Sequence, residues 1–94
     1  MAITSYRQFT TTRTAVNAGA WTPVIIPAGA LDGTITLEDA TATFRVTANN
    51  TFGLAEGVPV SAAGSYIFPG TASTNITVYV NPSAGTVAVV QSQL

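Results

Sequence analysis

Gly33-Thr34-Ile35-Thr36-Leu37-Glu38 decides the fold class. Ile35 and Leu37 alternate with Thr34, Thr36 and Glu38, so one face is apolar and the other polar, as in a half-buried antiparallel strand. Downstream, residues 42–48 repeat the pattern: Phe44, Val46 and Ala48 share one face, while Thr43, Arg45 and Thr47 share the other. The short link Asp39-Ala40-Thr41 suggests a hairpin between the two. Such a hairpin would set Arg45 on the same sheet surface as Glu38 or Thr36, with a cross-strand pair.

Further out, residues 75–80 carry Ile76, Val78 and Val80 on the inward face, which turns Tyr79 outward with Thr77. Residues 86–91 place Val87 and Val89 on one face and Ala88 and Val90 on the other, as in a strand covered on both sides or at an interface. The link 81–85 is rich in turn formers and ends in Gly85, which can take a positive φ, so a second hairpin is expected. Weaker strands are read at 21–26, stopped by Pro27, and at 58–61 and 65–68 about the turn Ala62-Ala63-Gly64. Residues 49–57 contain Phe52 and Leu54 without a clean period and read as a loop. Eight glycines and five prolines leave no helical stripe longer than about two turns.

Seven or eight short strands without a helix indicate an all-β chain. We expect a single antiparallel β-sandwich, jelly-roll or immunoglobulin-like, because local pattern does not choose between the two strand orders. The start of the chain differs. Ile3 and Phe9 share a face with Ser5 and Arg7, and Tyr6 lies on the other with Thr4, Gln8 and Thr10, so neither face is cleanly apolar. Residues 1–14 are therefore read as an extended N-terminal arm or edge strand, and residues 15–94 as the sandwich domain. Ile3, Tyr6 and Phe9 on the arm, with outward Tyr79, are the candidate partner-binding residues. Tyr is enriched at interfaces.

The 94-residue chain holds three Arg, no Lys and four carboxylates (Asp32, Glu38, Asp39, Glu56), a net charge of −1. Charged residues make up 7% of it, against about 25% in ordinary domains. The polar surface must come instead from 16 Thr with Ser, Asn and Gln. A monomer with a threonine-rich skin fits this, and so does a subunit of a large assembly. Interface cores are depleted of charge, which favours the assembly. Three arginines are too few for the several phosphate contacts of nucleic-acid binding. No apolar run approaches the length of a membrane span, and residues 1–9 show no signal-peptide pattern, so synthesis in the cytoplasm is expected.

Catalytic constellations are scarce. Without His or Cys there is neither a Ser-His-Asp triad nor a thiolate metal site. Glu38 and Asp39 are adjacent, and adjacent strand residues point to opposite faces, which makes a poor carboxylate dyad. A calcium site from Asp32, Asp39 and backbone carbonyls would use loop oxygens, but no D-x-D-x-D pattern supports it. No enzyme activity, cofactor or metal is expected. Trp21, Tyr6, Tyr66 and Tyr79 are the aromatic candidates for carbohydrate stacking, with Trp21 read rather as core or a plug at the sheet end.

The stretches 21–29 (Trp-Thr-Pro-Val-Ile-Ile-Pro-Ala-Gly), 33–39, 42–48, 58–64 with 65–68, and the closing 75–91 resemble small β proteins of tailed bacteriophage particles. They look like capsid decoration (cement) proteins and related head or tail accessory domains, over about residues 21 to 91. The resemblance implies a non-enzymatic virion component on the outer capsid surface. Its partner would be the major capsid protein, and it would be a homo-oligomer, trimers being favoured, that reinforces the shell. It also implies that the arm touches the shell. Another head or tail accessory role, and a glycan-binding module, are the alternatives.

Overall fold

In a computed structural model the described residues form eight strands and no helix. The structure describes residues 9–29, 32–48, 51, 53, 56–69 and 74–93. The strands are β1 (Phe9–Val16), β2 (Thr22–Ile26), β3 (Asp32–Leu37), β4 (Phe44–Thr47), β5 (Val58–Val60), β6 (Tyr66–Pro69), β7 (Ile76–Pro82) and β8 (Thr86–Gln93). They make two four-stranded sheets, ordered β1-β8-β3-β6 and β2-β7-β4-β5, with every pair antiparallel. The chain is a β-sandwich.

The first strand pairs with the eighth, the second with the seventh, the third with the sixth and the fourth with the fifth. This is one long antiparallel ribbon wrapped into two layers, the jelly-roll strand order. It resolves the choice between jelly-roll and immunoglobulin-like order.

Alternation explains the layers. Val16, Val24, Ile26, Ile35, Phe44, Val46, Phe68, Val78, Val80, Ala88 and Val90 form one buried cluster between the sheets, with Leu37, Val60 and Tyr66 packed at its margin. The inward rows read from the sequence on β3, β4 and β7 hold, with two exceptions: Ile76, at the start of β7, remains 38% exposed, and Ala48 falls just past the end of β4 and is exposed. On β8 the inward row is Ala88, Val90 and Ser92, and Val87 and Val89 face out, half-buried.

The expected hairpins do not form. β3 lies in the first sheet and β4 in the second, and likewise β8 and β7. Each short link carries the chain from one sheet to the other, and Ser83 and Thr86 bond to the 38–43 crossing to hold it there. Arg45 consequently lies opposite Pro59 and Asn81 in the second sheet, and the carboxylate of Glu38 is taken by Arg13. Left-handed backbone occurs at Gly19, Gly29, Gly57 and Ala63, not at Gly85. β1 runs to Val16, so a division after residue 14 falls inside a strand, and residues 9–14 are part of the first sheet's edge.

Candidate functional site

The connections 17–21, 38–43, 61–65 and 83–85 gather at one end of the sandwich, as the strand directions require. Polar bonds tie three of them together. Ser83 N donates to the Thr43 carbonyl at 2.8 Å, and Thr43 N donates to Ser83 Oγ at 2.9 Å. Asp39 N donates to Thr86 Oγ1 at 3.2 Å, and Gly19 N to Asn81 Oδ1 at 3.1 Å. Asp39 folds its own loop: Oδ1 accepts from Thr41 N at 2.9 Å and from Thr41 Oγ1 at 2.6 Å. Both bonds favour the ionised carboxylate, so the Thr41 hydroxyl first, then its amide, hold Asp39 below its ordinary pKa.

Beside these loops an open cleft of about 640 Å³ crosses the ends of β4, β5 and β7. Its polar lining is Thr43, Ser61 and Ser83 hydroxyls, the Asn81 amide and Arg45, over an apolar floor that includes Phe44 and Pro59. Arg45 Nη1 donates to the Gly57 carbonyl at 3.4 Å, a long bond. Among the described residues no carboxylate lines this cleft. Its chemistry is hydrogen-bond donation from a guanidinium and hydroxyls, suited to binding an oxygen-rich group.

On the first sheet's outer face, Arg13 of β1 reaches across β8 to Glu38, just past β3. Nε meets Oε2 at 2.7 Å and Nη2 meets Oε1 at 2.8 Å. The register sets this two-point ion pair across β8 beside Val89, which pairs with Arg13. Hydrogen bonding to Glu38, then its charge, raises the pKa of Arg13 further.

Of the sequence candidates, Ile3 and Tyr6 lie outside the described residues. Phe9 opens β1, opposite Gln93. Tyr79 stands mid-strand on the outer face of the second sheet, half-buried between Pro23 and Thr47. Phe9 and Tyr79 thus belong to different sheets. The indole of Trp21 lies against Gly57, where an added Cβ would stand 3.3 Å from Trp Cη2, consistent with a plug at the sheet end. Asp32 opens β3 and Asp39 lies just past its other end, about 20 Å apart at strand rise, so the two cannot share a cation. Among the described residues no cluster of three metal-ligating side chains occurs.

Sequence reasoning missed the exposed apolar residues. Ile67 is 75% exposed, Val58 51% and Ile25 45%. Ile67 alternates between inward Tyr66 and Phe68, and that signal was readable. Val58 is exposed by its place on an edge strand, which required the strand order. Compared with protein-family models, curated proteins and solved structures, the chain matches none.

Proposed function

We propose that the chain is a non-enzymatic structural protein of a tailed-phage particle, a decoration or cement protein made in the host cytoplasm. In this reading it binds the major capsid protein on the outer lattice. The observation that carries this reading is a charge-poor surface bearing large exposed apolar side chains. Ile67 on β6 and Val58 on β5 stand at the same lateral side of the sandwich, where two edge strands lie one above the other. Burying such groups across a seam between shell subunits stabilises the shell, because the protein binds the assembled lattice and not the free subunit. The jelly-roll order is one that capsid domains also use, a likeness of fold alone.

The test is the copy number of this chain in purified particles, by quantitative mass spectrometry against the major capsid protein. Hundreds of copies, near one per capsid subunit, are expected. A dozen or fewer would move the chain to a head or tail accessory role, and none would end the virion reading. The arm is tested by deleting residues 1–8, a cut placed before β1 so that the β1–β8 ladder survives. Shell binding should be lost while the fold is kept.

A glycan-binding module is the second reading, favoured by the cleft around Arg45. Binding on a glycan array that Arg45→Ala abolishes would establish it.

A further inference from the structure

In an antiparallel ladder each residue points its N–H and C=O to the same side, and successive residues alternate sides. One backbone hydrogen bond per sheet therefore fixes which residues face each open edge. Glu38 N donates to Val87 O, so odd residues of β8 bond β3 and even ones bond β1. Through the register, Thr10, Thr12, Thr14 and Val16 bond β8, while Phe9, Thr11, Arg13 and Ala15 turn their groups off the edge. On the far side of the same sheet, Gly33 and Ile35 bond Phe68 and Tyr66, which leaves Ile67 and Pro69 pointing outward. In the second sheet Ser83 N donates to Thr43 O, so odd residues of β7 bond β4 and even ones bond β2. Pro23 of β2 then points off one edge and, by the same alternation, Pro59 of β5 off the other.

Three of the four edges thus carry a proline at a position whose N–H would be offered to another strand. Proline offers none, and its presence at an edge blocks strand addition. β1 has no proline in eight residues. Among the described residues no strand pairs its outer side. Its single charge, Arg13, is drawn back over β8 onto Glu38.

We propose that β1 is a self-association edge: a second copy of this chain adds its own β1 antiparallel, joining two first sheets across a two-fold axis. The sequence of the strand selects the copy and the register. Centred on Thr12, the pairs Phe9–Ala15 and Thr11–Arg13 exchange hydrogen bonds on both sides of the axis, about eight bonds in all. Thr12 then faces its counterpart in the second copy, and Thr10 faces Thr14, cross-strand pairs of a favourable kind. Centring on Arg13 would set two like charges directly opposite each other, which is disfavoured. The inference rests on the edges and not on the capsid reading, and its two-fold symmetry differs from the trimer that the resemblance implies.

Sedimentation velocity on the full chain over a range of concentrations tests it. The wild type should shift from monomer to dimer as concentration rises. Thr11→Pro removes an N–H that points off the edge and touches no β1–β8 bond, so it should stay monomeric with an unchanged far-UV CD spectrum. A wild type that remains monomeric, a trimer, or a Thr11→Pro dimer as strong as wild type overturns the proposal. Should Thr11→Pro fail to fold, a cysteine variant decides, since the chain has no native Cys. Thr12→Cys lies at the axis, within disulfide reach of its counterpart, and should cross-link on oxidation. Thr14→Cys, displaced along the strand, should not. No cross-link at position 12, or equal cross-linking at 12 and 14, overturns the register.

Discussion

Gly33 shows how a single residue is set by a distant one. It pairs with Phe68 on β6, whose ring is buried and lies over the glycine. A Cβ at Gly33 would overlap both that ring and the Gln91 carbonyl oxygen. The oxygen belongs to the backbone of the central strand β8 and cannot step aside. Gly33→Ala should therefore cost about 1–3 kcal/mol, as overpacking does, read as a lower urea midpoint with an unchanged slope. An unchanged midpoint would mean that the two strands stand further apart than the structure has them. In the sequence Gly33 looks only like the start of a strand. Its constraint comes from a partner 35 residues away in the chain, and no local pattern carries it. The alternation that buries Ile35 and Val46, by contrast, depends only on the two-residue period of a strand, and was legible.

At the scale of elements, the crossing 38–43 is the instructive case. A three-residue link between two alternating strands reads as a hairpin, because hairpins are the commonest use of so short a link. Here Asp39 turns the chain instead. Its carboxylate holds Thr41 by backbone and hydroxyl, its carbonyl accepts from Ala42 N at 3.1 Å, and its own N–H is held by Thr86. The chain leaves the first sheet and enters the second. The same residue types would serve a hairpin turn, so the sequence does not separate the two outcomes. The distinction lies in Thr86 and Ser83, which belong to the β7–β8 region and dock on this loop. The candidate site shares the difficulty: the cleft joins Arg45, Ser61 and Asn81 from three separated segments. Asp39 also gives the crossing a pH dependence. Its folded pKa is depressed, so its contribution is present above the unfolded value, near 3.9. That contribution is lost as pH falls through the lower folded value. Urea midpoints at pH 7 and at about pH 2.5 should therefore differ more for wild type than for Asp39→Asn, which keeps an acceptor oxygen but cannot titrate. Equal differences in the two proteins would show that the Thr41 bonds do not favour the charged form.

For the whole molecule, the nested pairing makes a statement about folding order. Among the described residues β4 and β5 are the only consecutive strands that pair with each other, and their ladder closes over residues 48–57. Pairing β1 with β8 first would close over residues 17–85, a loop roughly sevenfold longer, which adds about 1.7 kcal/mol of closure cost. Once the inner pair stands, each outer pair has only its short connections left to close: 38–43 and 61–65 for β3 with β6, then the next pair outward. The ribbon should therefore wrap from β4–β5 outward, with β1–β8 completed last. Val→Ala substitutions at buried positions supply matched probes, since Val46 on β4 and Val16 on β1 belong to the same core cluster. Stopped-flow chevrons should show Val46→Ala slowing folding, with φ above about 0.5, and Val16→Ala mainly speeding unfolding, with φ below about 0.3. The reverse order would mean that contacts between the two ends of the chain form early and that loop closure does not govern the wrap. A late β1 also bears on self-association. Until β1 docks, the unsatisfied edge is that of β8, a strand of the same length and more apolar, so a slow final step would leave the more adhesive edge open during folding. Folding at higher protein concentration should then lose yield in proportion to how slowly Val16 finds its place.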